Sequence, residues 1–239
     1  MSDIQGLVIS LAGSDARQQK VRAELGKTNL QWRFLDAVRG SALTSVPKEY
    51  QPAKVKRLLG FELTPNELGC FLSHKKAWQE CVDKNIPTII FEDDFCLLPH
   101  FEKAIHFLMN ESTGWNAVRL QGLSDVPQEK IQSNGEFSLV RNMGDAVGAT
   151  AYLLRPSAAQ VLIDAASDIY EPLDHFLEHR QKHHLEFLAI SPYPVDITGV
   201  ETTIADRPGR LPIRGWEKTK RSTMRALDRW FSKNPWFPK

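Results

Sequence analysis

The chain has 239 residues, of which 42% are hydrophobic and 25% charged, enough to build a sizeable core and unlike a disordered segment. A formal net charge of +1 lacks the marked basic excess of a dedicated nucleic-acid binder. Three cysteines without CxxC spacing (Cys70, Cys81, Cys96) argue against a disulfide framework or a structural zinc site, and read as small buried apolar side chains in a reducing cytoplasm.

The opening residues carry too short an apolar run for a signal peptide, and no stretch approaches the roughly 20 apolar residues of a membrane-spanning helix. Residues 6–11 (GLVISL) predict a strand. Helix-start chemistry follows at Ser14 and Asp15, with Val21 and Leu25 on one face and Gly26 at the end. The run WRFLDAV predicts a second strand ending at Arg39-Gly40. This β-α-β alternation is the pattern of an α/β layered fold with a largely parallel sheet.

After a Pro-punctuated stretch with a short basic helix near residues 53–59, Thr64, Pro65 and Glu67 form a capping box. It opens a helix ending at Asn85. Thr88-Ile89-Ile90-Phe91 reads as a central strand covered on both faces. A helix is expected over residues 100–109 and a strand over 115–120, then a polar stretch to about Asn134. Strands are expected at FSLVRN and ATAYLLR, with a flexible Gly144–Gly148 loop between them. Two helices (PSAAQVLIDAA, and EPLDHFLEHRQ capped by its own acids) and a late strand within LEFLAISPYPV complete the order.

Glu92-Asp93-Asp94, directly after the apolar strand, is the strongest chemical signal. Open α/β sheets place ligands at the carboxyl ends of their strands, and clustered carboxylates suit a hard cation such as Mn²⁺ or Mg²⁺. On three residues alone, a solvated acidic turn is an equal reading. Ser73-His74-Lys75-Lys76 on the preceding helix suits phosphate or sugar hydroxyls, or simply a solvated face. Asp174 alone reads as a helix-start acid favoured by the dipole.

Taken together, four blocks resemble glycosyltransferase family 25, the lipooligosaccharide galactosyltransferase family. They are LVISLAGSDAR, the strand ending Ala37-x-x-Gly40, ELGCFLSHKKAW followed by IIFEDD, and GATAYLLRPSAAQVLI followed by PLDHFL. They span residues 6–205, and the third is the most specific. The resemblance implies a GT-A-like nucleotide-sugar-binding α/β domain over residues 1–205, a UDP-sugar donor, and inverting transfer of galactose or glucose to a lipooligosaccharide acceptor. It also implies Asp94 and Glu92 as metal ligands, and donor contacts from Leu11, Arg17, Ala37, Ser73, His74, Lys75, Glu92 and Asp93. Asp174 is the implied general base and Glu201 the alternative. The first strand departs from the family in ending Ile9-Ser10-Leu11-Ala12.

Residues 206–239 read as a basic helical extension. From Arg207 onward ten Lys or Arg face only Glu217 and Asp228, and Trp216, Met224, Leu227 and Phe231 share a helical face. Such a segment suits either the anionic inner face of the cytoplasmic membrane or packing on the body. Two other functions share the same acids: a metal-dependent phosphohydrolase or nucleotidyltransferase, and a non-catalytic sugar-nucleotide-binding protein.

Overall fold

A computed structural model describes residues 4–197. The first strand, β1 (Gln5–Ser10), alternates its buried side chains. Leu7 and Ile9 point to one face of the sheet and Val8 to the other. The helix α1 (Asp15–Leu25) then returns the chain to β2 (Gln31–Asp36), which pairs parallel to β1. Ser14 stands at the helix start, but its ψ of 50° is not the extended backbone of a capping residue, and its hydroxyl makes no capping bond.

Next come α2 (Pro52–Leu59) and the long α3 (Pro65–Lys84). The capping box forms as read: Thr64 Oγ1 accepts from Glu67 N, and the Glu67 carboxylate accepts from Thr64 N at 2.8 Å. Asn85 ends the helix in the left-handed conformation. The strand β3 (Thr88–Glu92) runs beside β1 and parallel to it, its first four side chains fully covered.

Beyond it lie β4 (Phe95–Leu97), α4 (Phe101–His106), β5 (Ala117–Arg119), β6 (Gln128–Ser133), β7 (Ser138–Asn142) and β8 (Ala151–Leu154). The chain finishes its described part with α5 (Pro156–Ala165), α6 (Leu173–Glu178), α7 (Arg180–His183), β9 (Phe187–Ser191) and β10 (Val195–Ile197). Eight strands form one sheet in the order β2-β1-β3-β8-β5-β9-β7-β6, and β4 pairs with β10 in a small ribbon. Six of the eight run the same way; β8 and β7 oppose them. The mixed α/β architecture with a mostly parallel sheet is therefore as expected.

Helices cover both faces. On one, α2, α3, α5 and α6 bury Val55, Phe71, Trp78, Leu162 and Phe176 against Leu7, Ile90 and Tyr152. On the other, α1 and α4 bury Leu25 and Phe101 against Val8, Phe91 and Leu153. Several local readings change. The helix expected at 100–109 is α4 followed by a π turn over Phe107–Glu111. The helix expected from Glu171 divides at His179 into α6 and α7. The stretch before Asn134 contains β6, an exposed polar strand held by its pairing to β7. The proposed boundary at 205 and the basic extension lie outside the described residues.

Two glycines set the spacing between β2 and α3. A Cβ on Gly40 would fall 1.8 Å from the Pro65 carbonyl oxygen, and one on Gly69 2.5 Å from that of Val38. Backbone meets backbone there, so neither position has room for a side chain. Ser73 completes the join: its hydroxyl accepts from Val38 N at 2.8 Å and donates to Gly69 O at 2.6 Å.

The junction after α6 carries a pH prediction. His183 is 3% exposed; its Nδ1 accepts from Leu185 N at 3.1 Å, and its Nε2–H faces Phe176 O at 3.2 Å. Burial, chiefly, holds this imidazole down to about 4. The unfolded chain therefore binds the extra proton first, and stability falls as pH drops from 6.5 toward 4, by up to about 3 kcal/mol. Melting temperature measured against pH should show that acid-side slope, and His183→Phe should flatten it whatever its cost at neutral pH.

Candidate functional site

The carboxyl ends of β1, β2 and β3 open onto a cleft of about 440 Å³. Its floor is Ile9, Ser10 and Leu11 from β1 and the turn after it. One wall is Ala37–Ser41, continuing β2, and another is α3 with Asn66, Cys70, Ser73 and His74. Glu92, Asp93 and Asp94 complete it, with Ser14 and Arg17 at the start of α1.

The three acids have different surroundings. Asp93 accepts from Ser10 Oγ at 2.7 Å and from Arg17 Nη1 at 2.8 Å, so its charge is met within the protein. Glu92 lies beside the buried His74, whose Nε2 is 3.4 Å from its Oε1, and beside the Cys70 thiol at 3.6 Å. Burial acts to raise the Glu92 carboxyl, but His74, Cys70 and Thr150 outweigh it and hold it below its ordinary value. Asp94 goes the other way: burial first, then the charges of Glu92 and Asp93, push it up to about 6.

That pattern fits a divalent cation. With Asp93 committed to Arg17 and Ser10, Glu92 and Asp94 are the carboxylates that would hold it. The Asp94 charge is the one a cation would relieve. Two guanidinium groups line the same cleft, Arg17 and Arg39, the latter donating to Ala12 O at 3.2 Å. Carboxylates and guanidinium groups therefore share the cleft, Arg17 in direct contact with Asp93.

Of the residues singled out from sequence, Leu11, Arg17, Ala37, Ser73, His74, Glu92, Asp93 and Asp94 all line this cleft. Lys75 does not. One residue round the helix from His74, its ammonium lies 2.8 Å from Glu49. Asp174 stands in the first turn of α6, outside the lining, accepting from His175 N at 3.0 Å. Its charge reaches both Cys70 and Arg119. Glu201 lies outside the described residues.

Several residues that line the cleft were given no functional role from the sequence. Ser14, Arg39, Ser41, Asn66 and Cys70 line it. Cys70 and His74 are four apart on one helix, a spacing that puts both on one face and was visible in principle. Behind them Tyr152 Oη lies 2.6 Å from His74 Nδ1 and accepts from Trp78 Nε1 at 2.9 Å.

A second buried group anchors the loop before β8. Arg119, 2% exposed, pairs with Glu178 at 2.7 Å and donates to Gly148 O at 2.5 Å. Glu178 also accepts from Val147 N at 2.9 Å. Val147 has φ 55°, a strained conformation for a β-branched residue. The loop expected to be mobile is thus two halves: Met143, Gly144 and Asp145 are exposed, while Ala146 and residues 148–150 are buried.

Comparison with known proteins identifies the family. The sequence profile of Glycosyltransferase family 25 (LPS biosynthesis protein) matches residues 3–177. Lipooligosaccharide biosynthesis protein lic2B of Haemophilus influenzae is 37% identical over 168 residues, covering 65% of this chain and 60% of that protein. The probable inactive glycosyltransferase 25 family member 3 of Rattus norvegicus is 30% identical over 182 residues, 71% of this chain and 32% of its own. Procollagen galactosyltransferase 1 of Danio rerio is 32% identical over 225 residues, 82% of this chain and 37% of its own. The chain thus spans about a third of the animal relatives' length. The crystal structure of a glycosyltransferase involved in the glycosylation of the major capsid of PBCV-1 aligns with 69% of this chain and 65% of its own. Its TM-score is 0.34 at 7% identity, too distant a likeness to carry a functional argument. On the profile match and the identities, the chain belongs to glycosyltransferase family 25.

Proposed function

We propose that this chain is an inverting, metal-dependent hexosyltransferase that moves a hexose, galactose first among candidates, from a UDP-sugar to a lipooligosaccharide or related glycan. The observation that carries this reading is the cleft. Three carboxylates in distinct states meet two arginines at the carboxyl ends of parallel strands, beside a wall of backbone fixed by Gly40, Gly69 and Ser73. The names of the Haemophilus and procollagen relatives favour glycan acceptors and galactose, respectively.

Glu92 and Asp94 would hold Mn²⁺ or Mg²⁺, which when bound offsets the negative charge growing on a departing diphosphate. Arg17 and Arg39 add fixed positive charge to the same cleft, with Arg17 oriented by Asp93. Leu11 in the floor and Ala37 in the wall shape the cleft for the nucleoside. Asp174 takes the proton of the acceptor hydroxyl, a general-base contribution typically about 10²–10⁴ in rate; Glu201 is the alternative. The exposed Met143–Asp145 tip is the part of its loop able to close over donor, since Arg119 and Glu178 hold the rest. Among the described residues no helix is long and apolar enough to cross a membrane. Contact of the basic extension with an anionic inner leaflet is part of the same proposal.

A second reading, sugar-nucleotide binding without turnover, is favoured by the relatives named inactive. One assay separates them: UDP release from a panel of UDP-sugars, with Mn²⁺ and then with EDTA, with and without acceptor glycans. Metal-dependent release with one sugar supports the transferase and names its donor. Donor binding with no release under any condition supports the second reading, and phosphate or pyrophosphate release from the nucleotide would instead make it a hydrolase.

A further inference from the structure

Three donor atoms from two elements meet on the cleft wall. Cys70 and His74 lie one turn apart on α3, and Glu92 ends β3. Glu92 Oε1 is 3.4 Å from His74 Nε2 and 3.6 Å from Cys70 Sγ, and all three atoms lie within 4.8 Å of one another. A tetrahedral Zn²⁺ ion has bonds of about 2.0–2.2 Å to carboxylate oxygen, 2.0–2.1 Å to imidazole nitrogen and 2.3 Å to thiolate sulfur. Tetrahedral angles between such bonds separate nitrogen from oxygen by roughly 3.3–3.5 Å and sulfur from oxygen by roughly 3.5–3.7 Å. The two measured edges match those values.

We infer that Cys70, His74 and Glu92 form a binding site for a thiophilic divalent cation of the Zn²⁺ class, separate in chemistry from the hard-cation role of Asp94. The surroundings of His74 support it. The ring is completely buried, and its Nε2 is aimed at Glu92 Oε1, 3.4 Å away. Its Nδ1 is held at 2.6 Å by Tyr152 Oη, which Trp78 fixes in turn. Metal-bound imidazoles are oriented in this way, the far nitrogen donating to a fixed oxygen while the near one presents its lone pair.

On binding, the Cys70 S–H bond breaks, a sulfur–metal bond forms, and the proton leaves to solvent; no redox change occurs. Thiolate and carboxylate together neutralise the ion. All three ligands line the cleft, so the fourth position opens to water or to an oxygen of a bound molecule. Because Glu92 serves both ions, occupancy by Zn²⁺ withdraws it from Asp94. If the transferase reading holds, Zn²⁺ inhibits and added Mn²⁺ relieves the inhibition. The site itself does not depend on that reading.

The test is Co²⁺ added to the full metal-stripped chain, read by absorption. The expected result is a thiolate-to-cobalt charge-transfer band at one equivalent, displaced by Zn²⁺, absent in Cys70→Ser and retained in Asp94→Asn. Tyr152→Phe should keep the band but weaken Zn²⁺ binding about 10–100-fold. Zn²⁺ should also protect Cys70 of the native chain from alkylation, a readout that needs no variant to fold. Absence of the band, its survival in Cys70→Ser, or alkylation of Cys70 at an unchanged rate with Zn²⁺ overturns the site. A band from a chain that never releases UDP leaves the site standing and defeats the transferase reading instead.

Discussion

Asp94→Asn should cut metal-dependent UDP release by at least about 10²–10³-fold, the scale seen when one preorganised charge-stabilising group is removed. The same variant should stabilise the metal-free fold. Burial and the neighbouring acids raise the Asp94 carboxyl to about 6, above its ordinary 3.8. A raised carboxyl favours the protonated form in the folded state, so stability declines as pH climbs from 3.8 to 6 and stays lower above it. Asparagine carries no such charge, and at pH 8 without metal the gain should be about 1–2 kcal/mol after allowance for partial exposure. Turnover and thermal melts with EDTA therefore move in opposite directions. Full activity with unchanged Mn²⁺ dependence would remove Asp94 from the metal assignment.

The second large effect concerns Arg119 and Glu178. Glu178→Ala leaves a guanidinium 2% exposed with its charge partner gone, and frees the N–H of strained Val147. Breaking a buried pair from one side typically costs about 3–5 kcal/mol. For a chain of this size that is a melting-point drop of roughly 10 °C. Replacing both partners, Arg119→Met with Glu178→Leu, should recover much of the loss, because no uncompensated charge remains. If the single and double variants melt together within experimental scatter, the pair is not what holds residues 146–148 against α6.

How far the sequence reveals this arrangement differs from place to place for physical reasons. The Thr64–Glu67 capping box and the strand ending at Glu92 were legible because their signals are local: a side chain reaching three residues, and an uninterrupted apolar run. The residues Gln128–Ser133 hid as a strand because they are polar and exposed at the sheet edge, where only the ladder to β7 holds them. The Asp93–Arg17 pair joins residues 76 apart, and Cys70 meets Glu92 across 22, so neither shows in any window of sequence. Cys70 read as a small apolar residue because nothing near it in the chain announces a carboxylate. Lys75 misled in the opposite direction: its neighbour His74 faces the cleft, and a helix turns successive residues by about 100°, which carries Lys75 to Glu49. Ser73, expected from its motif to contact the donor, lines the cleft and also ties Val38 to α3.

The position of β8 bears on how the chain reaches this state. It runs antiparallel between β3 and β5 and is bonded to both. Until residues 151–154 arrive, Thr88–Glu92 is an apolar edge with unpaired amides along one side. Such an edge pairs readily with other chains. Synthesis leaves it open for roughly 60 residues after β3 is made, several seconds at ordinary elongation rates of about 5–20 residues per second. A nascent chain halted in that interval is a template for aggregation, and the demand for chaperone protection falls in that window.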